Sequence, residues 1–147
     1  MQNIDWQQML IFQQELHQFS RNMLVHKQKQ FLTSSERELL AWLYLEPEKC
    51  TPLILSKLSG MKKEAVSRCL KQLYEKNCIQ KQKQTSDERS YVISLSETGL
   101  KELKKDYEIM LQPFYDLWRS MGEDFEQLFV LISRANEKMQ SLSIDEQ

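Results

Sequence analysis

Five side chains between residues 62 and 71 have the chemistry to hold phosphates and touch base edges: Lys62, Lys63, Ser67, Arg68 and Lys71. An ammonium binds phosphate as a point charge, a guanidinium forks onto guanine, and a hydroxyl donates or accepts. Helical spacing places them largely opposite Val66, Cys69, Leu70 and Leu73, whose i, i+3, i+4, i+7 pattern marks a buried stripe. A solvated helix would show the same face, so the context must decide. Lys81 and Lys83 follow as further phosphate candidates. Asp87 and Arg89 stand two apart in the polar run QTSDERS, close enough to pair. Thr51 precedes Pro52, the pattern of a helix cap with proline at the first position, and such a helix N-terminus also suits a phosphate.

The rest of the reactive inventory excludes most other chemistry. There is no Gly-rich phosphate loop and no Ser-His-Asp arrangement. His17 and His26 form no zinc spacing with Cys50, Cys69 and Cys78, and three cysteines without C-x-x-C spacing are not a disulfide framework. No enzymatic activity, metal or cofactor is expected. Cys69 falls on the apolar stripe and Cys78 packs just after it, whereas Cys50 is expected to be more exposed.

Net charge over the 147 residues is -1, which at first speaks against nucleic acid. The distribution reverses that impression. Residues 62–89 carry eight basic and four acidic groups, net +4, and residues 90–147 carry six and eleven, net -5. A basic block joined to an acidic tail is a polarised molecule. No run of 18 apolar residues occurs, and the N-terminal stretch lacks the pattern of a secretory signal. The expected location is the cytoplasm, with no membrane partner.

These side chains need elements to position them, and the pattern supplies mainly helices. Only three Gly and three Pro interrupt the chain. An amphipathic helix is expected over 5–26, and a second begins at Thr33, with Glu36 completing a capping box, and stops before Pro47. A short helix runs from Thr51 to near Gly60, a third covers 62–76, and Asn77 can end it in a left-handed conformation. Short helix, turn and longer basic helix are the arrangement of a helix-turn-helix. Residues 79–83 and 90–95 then read as a β-hairpin wing. Ser96 caps another helix, bent near Pro113, and a last one begins near residues 122–124. The fold class is mainly α: a winged helix-turn-helix lobe over 33–95, with long helices in 1–32 and 96–147. Their apolar stripes exceed what so small a lobe can cover, so a second copy of the chain is expected to cover them as a homodimer.

From Leu32 to Gly99 the chain resembles the MarR family of bacterial transcriptional regulators. The resemblance rests on LTSSERELLAWL, TPLILSKLSG, MKKEAVSRCLKQLYEKNCI and, most specifically, TSDERSYVISLSETG with its D-x-R pattern at Asp87 and Arg89. It implies a dimeric DNA-binding protein. Arg89 would sit at the wing tip and enter the minor groove, with Asp87 supporting it. Ser67, Arg68, Lys62 and Lys63 would face the bases or nearby phosphates, and Lys71 the DNA backbone. The partner would be double-stranded DNA carrying a pseudo-palindromic operator. A small-molecule effector would lie in a cleft between the winged lobe and the dimerisation helices, where Trp6, Phe12, Phe19, Phe31, Trp42, Tyr107, Phe114 and Trp118 offer aromatic surface. The expected function is a ligand-responsive repressor. An activator or dual regulator has the same fold, and a winged-helix protein–protein adaptor is the alternative that the basic face argues against. Ile54, Lys62–Lys63–Glu64, Asn77 and Cys78 depart from the family pattern, so no relative's operator carries over.

Overall fold

Local signals explain where most helices begin and end. In the computed structural model, which describes residues 3–25, 30–48, 50–83 and 91–145, helix α1 spans Trp6–Asn22. The Asp5 carboxylate accepts from the Gln8 amide at 2.8 Å and satisfies one of its orphan donors. Helix α2 (Ser34–Leu45) starts in the same way, the Thr33 hydroxyl accepting from the Glu36 amide at 3.2 Å. The expected capping box is only half made, because the Glu36 side chain turns inward to Lys76. Thr51 caps α3 (Pro52–Ser59) through the Ile54 amide at 3.2 Å. Gly60 ends α3 with φ +73°, and Asn77, with φ +58°, follows α4 (Lys63–Glu75) in the expected left-handed conformation.

Strands β1 (Ile79–Lys83) and β2 (Tyr91–Leu95) pair antiparallel with Ile79 opposite Leu95, Lys81 opposite Ile93 and Lys83 opposite Tyr91. Asp87 and Arg89, and also His26, lie outside the described residues. The Ile93 amide also donates to the Cys50 carbonyl at 2.8 Å, which ties the segment before α3 to the hairpin. Cys50 is therefore buried, against the expectation of exposure, and its thiol donates to the Glu46 carbonyl. Beyond the hairpin, α5 (Glu97–Met110) and α6 (Gln112–Met121) are separate helices, with Pro113 in the first turn of α6. Gly122, at φ +60°, precedes α7 (Glu123–Asp145). Among the described residues no helix is long and apolar enough to cross a membrane.

The chain packs as two units, residues 26–109 and residues 1–25 with 110–147. In the first, α2 supplies Leu39, Leu40 and Leu43, α3 supplies Leu55, α4 supplies Val66, Leu70 and Leu73, the hairpin supplies Ile79 and Ile93, and α5 supplies Leu103. The second has a different character. Phe129 packs on Phe125 and Phe114 at 4.8 and 6.0 Å between centroids, but α1 and α6 bury no residue fully. Trp6, Ile11, Phe12 and Leu16 of α1 and Leu131, Met139 and Leu142 of α7 are exposed.

Gly99 is fixed by close approach. The Ser96 hydroxyl accepts from the Gly99 amide at 2.9 Å and donates to the Asn77 carbonyl at 2.6 Å, while the Ser96 amide donates to Cys78. A Cβ at residue 99 would fall onto the Cys78 carbonyl oxygen, 2.9 Å from its carbon and 3.1 Å from Leu95 Cδ2. Gly99→Ala is expected to lower stability by about 2–3 kcal/mol in urea unfolding, as overpacking does. Gly60→Ala meets open space and bears only the left-handed backbone strain, about 1 kcal/mol.

Candidate nucleic-acid interface

The recognition face is built by a locked turn. Between α3 and α4, the Ser56 hydroxyl donates to the Met61 carbonyl at 2.7 Å, and the Ser59 hydroxyl accepts from the Met61 amide at 3.2 Å. With Gly60 reversing the chain, α4 leaves this turn in one direction. Its stripe of Val66, Cys69, Leu70 and Leu73 is buried, which forces Lys62, Lys63, Ser67, Arg68 and Lys71 outward, and all five are exposed. Among the described residues, none of the five is engaged in an ion pair. The start of α4 is also unusual: Lys62 is the cap residue and makes no side-chain capping bond. Two lysines beside uncapped amides are a concentration of positive potential, offset in part by Glu64.

The far end of α4 is held by buried charge. Lys76 Nζ donates to both carboxylate oxygens of Glu36, at 2.9 and 2.7 Å, and Glu36 is 1% exposed. The same ammonium donates to the Phe31 carbonyl and lies 5.1 Å from the centre of its ring. The next residue of α2, Arg37, donates through Nε to Asp106 of α5 at 3.3 Å and through Nη2 to Gln30. Desolvated charges of this kind are tolerated only with good partners. Sequence reasoning missed both pairs, because Glu36 and Lys76 are 40 residues apart, Arg37 and Asp106 are 69 apart, and no periodicity signals such pairings.

On the hairpin, Lys81 Nζ stands 4.7 Å from the ring centres of both Tyr74 on α4 and Tyr91 on β2, and Lys83 is exposed. Thr51 spends its hydroxyl on the α3 cap. The structure thus gathers five of the expected residues on one helix face, with Thr51 at the start of the preceding helix. Of the eight aromatics weighed as cleft lining, Trp42 and Tyr107 pack on the core of the 26–109 unit, and Phe31 serves Lys76. Among the described residues no group of three His, Cys, Asp or Glu is placed to hold a metal.

A helix-turn-helix with a basic outer face and a β-hairpin beside it defines a winged-helix DNA-binding regulator. The family model "Transcriptional regulator SarA/Rot" matches residues 23–107, more than half of the chain, and the protein belongs to this family of bacterial regulators. Solved structures show the same fold. A MarR/EmrR family transcriptional regulator from Acinetobacter sp. ADP1 is 23% identical, covers 94% of this chain and 99% of its own, and has a TM-score of 0.69. A MarR mutant from E. coli, complexed with operator DNA, is 15% identical over 90% of this chain and 99% of its own, with a TM-score of 0.66. PcaV from Streptomyces coelicolor, in complex with its natural ligand, is 18% identical over 93% and 98%, with a TM-score of 0.58. Comparison with curated protein sequences finds no match.

Three predictions follow from the buried groups. Burial is the main cause pushing the Cys69 thiol up to about 11, with Glu36 adding and Lys76 opposing. Burial also raises Cys50 and Cys78, helped by Glu46 and Glu102 respectively, and pushes the Tyr74 hydroxyl up to about 12. All three thiols are expected to alkylate slowly at pH 8 in the native protein and rapidly in urea. For a group held protonated in the folded state, stability is complete below its unfolded pKa and declines above it. Between about pH 9 and 11 the unfolding free energy is therefore expected to fall, as denaturant titrations at stepped pH would record. Lys76→Met strands the Glu36 charge and is expected to cost about 3 kcal/mol of stability in urea unfolding, whereas a loss below 1 kcal/mol would show that the pair is screened.

Proposed function

We propose that this regulator is a homodimeric, sequence-specific reader of double-stranded DNA that acts as a ligand-responsive repressor. The observation that carries the reading is the α4 face, where Lys62, Lys63, Ser67, Arg68 and Lys71 stand exposed opposite a fully buried stripe, in no ion pair among the described residues. Arg68 and Ser67 read base edges in the major groove, and Lys62, Lys63 and Lys71 neutralise phosphates. Phosphates beside Lys62 and Lys63 would also relieve the uncapped start of the helix. Arg89, oriented by Asp87, enters the minor groove, while Lys83 and the N-terminus of α3 behind Thr51 take flanking phosphates.

Residues 33–95 form the reading lobe and the helices of 1–32 and 96–147 the dimerising region, with α5 packing in the lobe's own unit. The apolar residues left exposed on α1 and α7 support a two-fold interface, which presents two recognition helices to successive grooves. A dimer covering a pseudo-palindrome excludes other proteins from it, which is the simplest physical route to repression. Ligand response has the support of PcaV, solved with its natural ligand. An effector acts by favouring one spacing of the recognition helices over another.

In-vitro selection from random duplexes is expected to yield a palindrome. Arg68→Ala should weaken binding to it by about 10- to 100-fold and relax the preference at one position per half-site. Lys63→Ala should weaken all sequences alike and lower the salt slope by about one. Unchanged affinity for Arg68→Ala across several salt concentrations would refute the interface. Ile11 and Leu131 are 53% and 56% exposed in the single chain, so Glu at both positions is harmless to a monomer. In the proposed dimer the pair should shift sedimentation to the monomer and abolish operator binding.

A further inference from the structure

The hairpin register separates Lys81 from its neighbours. Side chains alternate across a strand, so Ile79, Lys81 and Lys83 share one face and Gln80 and Gln82 the other. Ile79 is buried, as is Ile93 directly across from Lys81, so Lys81 stands at the exposed edge of a face whose start packs into the core. Tyr91, opposite Lys83, is its diagonal neighbour on that face. From the last turn of α4, Tyr74 brings a second ring to the same place, and each ring centre lies 4.7 Å from the Lys81 ammonium. Among the described residues the buried Tyr74 hydroxyl has no hydrogen-bond partner, so what Tyr74 contributes here is its ring.

An ammonium between two aromatic faces is attracted to both quadrupoles. Turned toward a phosphate, it would give up part of that contact. One ring belongs to the recognition helix and the other to the returning strand of the hairpin, so the cation bridges the two elements that must act together on DNA. We infer that Lys81 is a positioning residue: it fixes the angle of the hairpin to α4 without itself touching DNA. The inference rests on the proposed reading that helix and wing contact one site together.

The test uses the full-length protein, a fluorescein-labelled duplex carrying the selected palindrome, and the variants Lys81→Met, Tyr91→Leu and their combination. Lys81 is exposed, so Lys81→Met should fold as the wild type does. Lys81→Met, which loses both ring contacts, should weaken binding by about three- to tenfold, and Tyr91→Leu, which loses one of them, by about two- to threefold. The double variant should be no weaker than the weaker single, and the slope of log K against log salt should stay at the wild-type value. In the free protein, the Lys81 ε-methylene NMR signal should be shifted upfield by the rings, and Tyr91→Leu should remove much of that shift. A slope lowered by about one in Lys81→Met, with additive effects of the two substitutions, would make Lys81 a phosphate ligand and overturn the inference alone. An unshifted methylene would overturn it as well. Failure of the wild type to bind any selected duplex would instead remove the underlying reading, and the positioning role with it.

Discussion

The buried Glu36 carboxylate is the constraint on which the geometry of the 26–109 unit depends. It sits in the first turn of α2, 1% exposed, where its charge is unfavourable without a partner. Lys76 answers it with two short hydrogen bonds from the residue that ends the recognition helix. Hydrophobic contacts tolerate small slides of one helix along another. A bidentate contact to a desolvated carboxylate does not, because any displacement strands a charge. The α4 helix is thus fixed in register as well as in contact, and Arg37, one residue on, ties the same turn to Asp106 of α5. Two adjacent charges on α2 reach in different directions, one to the end of α4 and one to α5.

Each end of α4 is set by a different physical device. At its start, Gly60 and the two serine hydroxyls around Met61 fix the turn, so the exposed lysines emerge where no side chain caps the helix. At its end, Asn77 takes the left-handed conformation, and Cys78 turns the chain into β1 under the close approach of Gly99. The Ser96 hydroxyl, bonded to both Asn77 and Gly99, joins the exit of α4 to the entry of α5. A small residue, a cap and a buried ion pair therefore converge within one turn of the recognition helix.

Much of this was legible in the sequence because it is local. Thr33, Thr51 and Ser96 as caps, and Gly60 and Asn77 as helix ends, act on residues within four of themselves, and the stripe of Val66, Cys69, Leu70 and Leu73 is a periodicity, whereas the second bond of Ser96, to Asn77, is not local. The pairings of Glu36 with Lys76 and Arg37 with Asp106 depend on how distant elements meet, and no local pattern encodes that. Glu36 was a misleading case: three residues after Thr33 it satisfied the capping-box spacing, yet tertiary pairing drew its side chain away. Cys50 was misjudged for a similar reason. Its exposure was inferred from its place before a cap, but its carbonyl is a hydrogen-bond partner of β2, which draws the residue into the core. That Lys81 shares a strand face with Ile79 could have been found, since strand alternation places it there.

The two packing units divide the physical tasks that the charge distribution only outlines. The 26–109 unit gathers its buried apolar residues in one continuous core and leaves the basic groups of the α4 outer face exposed. The unit of α1, α6 and α7 does the reverse, packing Phe114, Phe125 and Phe129 together while exposing aliphatic and aromatic residues along α1 and α7. Exposed residues of that size are unfavourable in water for an isolated chain and favourable when covered, by about 25 cal/mol for each Å² removed from water. A helix that gains most of its stability from another subunit couples folding to association. If α1 and α7 meet their partners only in the dimer, the unit of residues 1–25 and 110–147 is held by assembly and the 26–109 unit by its own core.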